Sequence, residues 1–171
     1  MGWEVWFTYG LWGGDPVDER RPEPLNRIIP KHINWILNSL ADGSICMVAI
    51  LLIYLGNIET GAEYHILFGS VLVRKEGLKK FRWSGLSIAF IWFIFQNIVV
   101  EMIVYNNQLA GKEVSWAPLT PFGPWVNPTL FSIGTATCTL QGQLPWLIMT
   151  PVFYFVLLKE KARYKQNEKF H

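Results

Sequence analysis

Charged residues are scarce in this sequence. They make up 16% of its 171 residues, whereas an ordinary soluble domain carries about 25%. The net charge of +2 is too small to indicate a protein that binds nucleic acid, which usually presents a basic stripe interleaved with stacking aromatic residues. We therefore expect no nucleic-acid partner.

Cysteine is also scarce, since the chain has only two. Cys46 and Cys138 both fall within apolar segments, and neither belongs to a CxxC pair or a Cys/His spacing that suits a metal. The sequence therefore predicts neither a disulfide framework nor a metal site, and no cofactor is expected. Phosphate-binding glycine loops and the common hydrolase and zinc-protease motifs are lacking as well.

Three long stretches carry almost no charge, at 33–56, 83–105 and 128–158. Hydrophobic residues form 51% of the chain, and a soluble core of this size has little room for three such stretches. About 20 mainly apolar residues cross the roughly 30 Å hydrocarbon layer of a bilayer. The sequence therefore predicts an all-α integral membrane protein with a compact transmembrane helical bundle within 33–158.

A fourth span over 57–75 is less evident, because two acidic residues, Glu59 and Glu63, fall inside it. The distribution of basic residues favours it nevertheless. With four spans, all but one of the 15 Lys and Arg residues lie on one side of the membrane, as the positive-inside rule expects of the cytoplasmic side. We therefore expect about four spans, with three as the alternative, and both the N- and C-termini in the cytoplasm.

The segments that flank the bundle have a different composition. Residues 1–32 begin with Trp3, Trp6 and Trp12 and continue with proline and charge. Tryptophan favours the headgroup layer of a membrane, so these residues predict an interfacial N-terminal segment followed by an irregular linker. Residues 159–171 are basic and predict a cytoplasmic tail.

Ionisable and amide side chains within the apolar segments are the candidates for function, since burying them in a membrane is costly. Asp42 and Glu101 are the candidate catalytic acids, because a carboxyl removed from water can keep its proton at neutral pH. Their depths along the two helices differ, so we expect no direct pair between them. Four amides are the candidate substrate-binding groups: Asn38, Asn97, Gln141 and Gln143.

Two functions of different classes fit these residues. The first is a protein that binds a lipid or isoprenoid substrate between apolar walls and transforms it by acid catalysis. The second is a non-catalytic accessory subunit of a larger membrane complex. For the second, Gly134, Cys138 and Gly142 form a small-residue pattern that lets a partner helix approach closely. In both cases the lipid bilayer is the environment of the protein.

Overall fold

The computed structural model describes residues 2–56, 65–67, 71–73, 81–113 and 115–167. Its N-terminal segment is a series of short helices, and Pro16 and Pro22 directly precede two of them. Proline is tolerated at a helix start because its missing N–H would have no helical partner there. This segment is therefore more regular than the predicted linker. Its elements are α1 (Gly2–Tyr9), a 3₁₀ turn (Leu11–Gly13), α2 (Val17–Arg20) and α3 (Glu23–Ile28).

Three long helical stretches follow. The first is α4 (Lys31–Gly56). The second is α5 (Trp83–Val99), which continues through a π-helical segment (Val100–Tyr105) into the short α6 (Asn106–Leu109). The third is α7 (Leu140–Asn167). By length and composition, the described chain has three stretches that can cross a membrane: Lys31–Gly56, Trp83–Leu109 and Leu140–Glu160.

The apolar side chains of these stretches mostly face outward. Only 11%, 33% and 22% of the residues in their apolar windows are buried within the protein. Ile91, Phe95 and Ile148 are more than 60% exposed. A soluble monomer rarely leaves so large a contiguous apolar surface in water. The helices thus agree with the predicted class, a multi-pass helical membrane protein.

The predicted span at 57–75 is not helical in the residues that the structure describes. Those residues form two antiparallel strands, β1 (His65–Leu67) and β2 (Val71–Val73). Valine is favoured in strands, and an apolar run this short is compatible with either structure. The prediction of about four spans is therefore corrected to three among the described residues. The remainder of 57–75 lies outside them.

The last predicted span, 128–158, begins too early. Its first part is a hairpin of β3 (Thr129–Ile133) and β4 (Ala136–Thr139). Gly134 lies in the turn with a φ of +61°, a conformation that glycine adopts at little cost. Because α7 begins only at Leu140, Gly134, Cys138 and Gly142 lie in a turn, a strand and a helix. The single-helix pattern on which the predicted partner contact depended does not form.

The N-terminal segment contacts the loop between α6 and β3. The guanidinium of Arg20 donates hydrogen bonds to the backbone carbonyls of Ser115 (2.6 Å) and Trp116 (2.5 Å). Four spans would put these two segments on opposite sides of a membrane, whereas three spans put them on the same side. The contact is therefore incompatible with the four-span arrangement.

Contacts divide the chain into two units: unit 1 is Met1–Ser44 with Ile94–Pro145, and unit 2 is Ile45–Phe93 with Trp146–His171. In unit 2, the hydroxyl of Tyr154 donates to the carbonyl of Arg82 (3.1 Å), and the indole of Trp92 donates to the carbonyl of Ile45 (3.0 Å). These bonds fix aromatic side chains at the edge of an apolar core. The buried residues of that core are Ala49, Ile53, Ala89, Phe93 and Tyr154.

Unit 1 differs from unit 2 in its polarity. Among the described residues, every buried polar or charged side chain except Thr150 belongs to unit 1. Buried polar groups need hydrogen-bond partners, so the arrangement of this unit depends on them as much as on apolar packing. Its apolar core is small, and the buried members are Phe7, Val17, Leu109 and Trp116.

Candidate functional site

Glu101 lies in the π-helical segment and is only 3% exposed. Its Oε1 accepts hydrogen bonds from the hydroxyls of Ser115 (2.7 Å) and Thr139 (2.8 Å) and from the backbone N–H of Thr139 (3.2 Å). Its Oε2 accepts from Nε2 of Gln143 (2.8 Å). π-Helical turns are rare and are frequent at functional sites. Here the turn carries a carboxylate that joins the loop, β4 and α7.

Gly142 leaves the space that this carboxylate occupies. A Cβ atom at position 142 would lie 2.6 Å from both Oε1 and Oε2 of Glu101. Optimal contacts between non-bonded heavy atoms lie at about 3.5–4.0 Å. The position therefore requires a residue without a side chain, because any other residue would displace the carboxylate from its donors.

The predicted amides on α5 and α7 have partners within unit 1. Nδ2 of Asn97 donates to the carbonyl of Gly142 (2.7 Å). Oε1 of Gln141 accepts from the backbone N–H of Leu119 (3.0 Å), and Gln143 bonds to Glu101 as described above. These three side chains position α7 against the π-helical segment and the loop. Their role in substrate binding stays a prediction.

Asp42 pairs with Glu4 of α1, a residue that the sequence analysis missed. The carboxyl of Glu4 lies close enough to the side chains of Asn38 and Asp42 for both to affect its pKa. Glu4 is buried, whereas Asn38 and Asp42 are half-buried. Two neighbouring carboxyl groups repel each other when both are ionised, which favours a proton on one of them. Asn38, one turn before Asp42 on α4, completes the group.

The pKa of Glu4 lies well above that of an ordinary glutamate. Burial, followed by the nearby Asp42 carboxylate, raises the pKa of Glu4 from 4.5 to about 7. The hydrogen bond from Asn38 acts in the opposite direction and is outweighed. A carboxyl with this pKa gives up and takes back a proton near neutral pH, which is the property that general acid catalysis needs.

Tyr105 lies near both the Glu4–Asp42 pair and Glu101. The carboxyl groups of Glu4, Asp42 and Glu101 are all within electrostatic range of its phenol. Its ring stacks on that of Trp116, with centroids 5.3 Å apart and planes at 25°. The two predicted acids therefore share a neighbour in unit 1, although each has its own hydrogen-bond partners. With three spans, the C-terminal half of Trp83–Leu109 and the N-terminal half of α4 point to the same side, which explains this proximity.

Aromatic rings pack against one another on α1, the helix that carries Glu4. The ring centroids of Trp3 and Trp6 lie 4.6 Å apart at 89°, and those of Trp3 and Phe7 lie 5.2 Å apart at 72°. Edge-to-face pairs of this kind contribute about 0.5–1.5 kcal/mol beyond the area they bury. The single acidic residue of α1 therefore lies on a helix with a packed aromatic face.

Several buried polar atoms of unit 1 have no hydrogen-bond partner. An unpaired buried donor or acceptor costs about 1–3 kcal/mol, and native proteins leave few of them. Two tryptophans and the acid of α1 contribute such atoms, which makes this helix unusual. A concentration of this kind is typical of a site that a bound polar group completes. Within the described part of unit 1 these atoms are Nε1 of Trp3, Trp6 and Trp116, Oε2 of Glu4, Oγ1 of Thr8, Oδ1 of Asp18, Nδ2 of Asn34, Oγ of Ser39 and Oε1 of Gln143.

Two buried arginines fix the segment that carries Glu4. Besides the two loop carbonyls, the guanidinium of Arg20 binds the carboxylate of Glu113 through Nε (2.7 Å) and Nη2 (2.5 Å). Nη1 of Arg21 donates to Oδ1 of Asn34 on α4 (3.0 Å). Breaking a buried ion pair costs about 3–5 kcal/mol, so these side chains determine where α1 lies.

The thiol of Cys138 is not activated as a nucleophile. Neither Cys46 nor Cys138 forms a disulfide with a described residue. Burial, followed by the neighbouring Glu101 carboxylate, raises the pKa of Cys138 to about 12, which opposes formation of the nucleophilic thiolate. Within the described ranges, no group of three or more His, Cys, Asp or Glu residues is placed to hold a metal ion.

Comparison with models of protein families, with curated proteins and with solved structures finds no match for this chain. The functional conclusion therefore depends on the geometry of unit 1 and on its chemistry.

Proposed function

We propose that the protein binds a lipophilic molecule, of the lipid or isoprenoid class, beside the Glu4–Asp42 pair and acts on it by acid catalysis. The observation that carries the proposal is the buried carboxyl of Glu4, whose pKa burial and the neighbouring Asp42 raise and whose Oε2 has no hydrogen-bond partner among the described residues. Glu4 supplies the proton, and Asp42 accepts the hydrogen bond from Glu4. In this proposal Glu101 positions the loop and α7 and is not the proton donor.

The lipophilic nature of the ligand follows from its surroundings. Trp3, Trp6 and Phe7 pack their rings together on the same helix as Glu4. The apolar faces of the three long helices suit a protein whose ligand enters from a membrane. A carboxyl removed from water is a weaker acid, but it keeps its proton at neutral pH and can deliver it to a ligand held beside it.

The raised pKa of Glu4 makes the stability of the protein depend on pH, and the variant Glu4→Gln tests this dependence. Because the pKa of Glu4 is about 7 in the folded protein and 4.5 ordinarily, the folded state binds the proton more tightly than the unfolded state. Stability should therefore fall as pH rises from about 4.5 to 7 and level off above that range, by up to about 3 kcal/mol. Glu4→Gln should remove this pH dependence.

Thermal unfolding in detergent, followed by circular dichroism between pH 4 and 8, measures the effect. Glu23→Gln is the matched control, because the side chain of Glu23 is 68% exposed. It should keep the wild-type pH profile. Infrared spectroscopy adds an independent reading, since the carbonyl band of a protonated carboxyl should disappear in Glu4→Gln and titrate near pH 7 in the wild type. Equal pH profiles for the two variants would contradict the raised pKa of Glu4.

Catalysis itself is tested with deuterium. Purified protein is incubated with a total membrane-lipid extract in D₂O buffer, and the lipids are analysed by mass spectrometry. The wild type and Glu23→Gln should consume a species and place deuterium from Glu4 on a carbon of the product. Glu4→Gln and Asp42→Asn should do neither, while both remain folded. If no species is consumed by any of the four proteins, the catalytic part of the proposal is wrong.

We also propose an orientation for the three spans. The segment that contains Glu4 and the loop that contains Glu113 lie on one side, and the chain between α4 and α5 and the end of α7 lie on the other. The second side carries ten of the 15 Lys and Arg residues of the sequence. The positive-inside rule assigns that side to the cytoplasm, which places the N-terminal segment on the opposite side, contrary to the sequence-based expectation.

Cysteine labelling in sealed vesicles of known orientation tests this topology. Glu23→Cys and Arg163→Cys introduce thiols at positions whose native side chains are 68% and 65% exposed. An impermeant maleimide should label Glu23→Cys only from the non-cytoplasmic side and Arg163→Cys only from the cytoplasmic side. The wild type provides the background from Cys46 and Cys138. Labelling of both variants from the same side would restore an even number of spans.

A further inference from the structure

We infer that the loop between α6 and α7, including its hairpin, lies in the headgroup layer of the membrane at the face where α6 ends and α7 begins. The partner of this loop is the lipid bilayer itself. The inference depends on the three spans and not on the acid chemistry of Glu4. The loop surface, as we name it, consists of six apolar side chains that are all at least 40% exposed: Phe122, Trp125, Val126, Leu130, Phe131 and Ile133.

Hydrogen bonds join the loop surface to the first residues of a spanning helix. The backbone N–H of Leu140, where α7 begins, donates to the carbonyl of Pro128 (2.9 Å). The backbone N–H of Gln141 donates to Oδ1 of Asn127 (2.9 Å). Trp125 lies two residues before Asn127, and β3 directly follows Pro128. The loop surface is therefore tied to the N-terminal end of α7, which is the level at which this span enters the membrane.

The loop surface carries no charge. Residues 115–139 contain no Asp, Glu, Lys or Arg, although Trp125 and Ile133 are 98% and 70% exposed. The N-terminal segment lies on the same side of the membrane and differs, since the side chains of Glu23 and Arg27 are 68% and 79% exposed. A contiguous apolar surface marks a site of contact with a membrane or a protein. On one side of the membrane, the chain thus presents charge in one segment and apolar side chains in another.

A tryptophan in an unusual conformation lies beside the loop surface. Trp12 has a φ of +59°, a left-handed conformation that is an outlier for a bulky residue. Its side chain is 86% exposed, and its turn contacts the loop, because a Cβ at Gly13 would lie 3.8 Å from Cζ of Phe122. Backbone outliers of this kind cluster at functional positions. Tryptophan favours the headgroup layer, so contact with lipid headgroups accounts for this exposed ring.

The open edge of the hairpin favours the headgroup layer over the hydrocarbon. Among the described residues, β3 pairs only with β4, so the backbone groups of its other edge have no strand partner. Open sheet edges that face lipid do not occur within the hydrocarbon, because no water is present there to satisfy them. The headgroup layer contains water and accepts both the open edge and the apolar side chains. A partner protein is the alternative cover, and the test separates the two.

Fluorescence quenching in a lipid bilayer tests the inference. Trp125→Cys and Ile133→Cys are each labelled with the dye NBD and reconstituted, one protein per nanodisc, in phosphatidylcholine. Glu23→Cys is the control from the same side of the membrane, and the labelled wild type gives the background of Cys46 and Cys138. Two separate loop positions keep the test informative if one variant does not fold.

Lipids with a nitroxide on the headgroup should quench both loop labels at least twice as strongly as the label at position 23. Iodide, a quencher dissolved in the water, should quench the loop labels less than half as strongly as that control. Lipids with a nitroxide near the end of the acyl chain measure depth. They should quench the loop labels less than the headgroup nitroxide does, because the labels lie in the headgroup layer.

Three other results would overturn the inference. Equal quenching of the loop labels and the control by iodide would place the loop in water. Protection from iodide without quenching by any nitroxide lipid would show that protein covers the loop surface. Stronger quenching by the acyl-chain nitroxide than by the headgroup nitroxide would place the loop in the hydrocarbon. None of these results affects the titration of Glu4, so this inference and the proposed function fail separately.

Discussion

Replacing Gly142 with alanine should destabilise the protein by about 3 kcal/mol. The added methyl group would lie 2.6 Å from both carboxylate oxygens of Glu101, so the carboxylate must leave the donors of Ser115, Thr139 and Gln143. At two to four degrees per kcal/mol for a chain of this size, the melting temperature should fall by roughly 6–12 °C. Thermal unfolding in a single detergent measures the loss.

Gly43→Ala is the matched control for this substitution. Gly43 is also a helical glycine, but a Cβ there meets nothing within 4 Å. Alanine is a better helix former than glycine by about 1 kcal/mol, so this variant should be as stable as the wild type or slightly more stable. If Gly142→Ala behaves like Gly43→Ala, the packing of the Glu101 carboxylate against Gly142 is incorrect.

Replacing Arg20 with alanine should release the N-terminal segment. The variant leaves the carboxylate of Glu113 without its partner and removes the donors to the carbonyls of Ser115 and Trp116. Arg20 is 2% exposed, and breaking a buried ion pair from one side costs about 3–5 kcal/mol. We expect a lower melting temperature and faster proteolytic cleavage within 10–30, followed by mass spectrometry.

Arg27→Ala is the control for this second prediction. Arg27 lies in the same segment and pairs with Glu23 four residues before it, but its side chain is 79% exposed. An exposed i, i+4 pair contributes only about 0.3–0.5 kcal/mol. The variant should therefore resist protease as the wild type does. Cleavage of Arg20→Ala and Arg27→Ala at the same rate would refute the anchoring role of Arg20.

The spanning helices could be predicted because their signal is long. Runs such as 83–105 exceed 20 mainly apolar residues, and few structures other than a membrane helix explain them. The two hairpins could not be predicted, since runs of three to five apolar residues fit a strand or part of a helix equally well. The strand before α7 therefore merged with the predicted span at 128–158. The apolar run that contains β1 and β2 was in turn extended into a fourth span at 57–75, and this span placed the N-terminal segment and the loop on opposite sides.

Half of the carboxyl pair could be predicted from the sequence. Asp42 is conspicuous as a lone acid in an apolar helix, and Asn38 shares its face. Glu4 was missed because it lies in a segment interpreted as interfacial, where a charged residue is ordinary. The available signal was that Glu4 is the one carboxylic acid of α1, with Trp3 before it and Phe7 one turn later. Only the fold brings that helix to Asp42, because the contact joins residues 38 positions apart.

The carboxyl pair is formed by a short helix and a membrane-length helix, and this has a thermodynamic consequence. When α1 separates from α4, Glu4 returns to water and its pKa falls from about 7 towards 4.5. By linkage, detachment of α1 must release a proton at pH values between these two limits, and protonation must in turn hold α1 in place. A lower pH therefore strengthens the contact of α1 with α4 near Asp42. A higher pH weakens that contact.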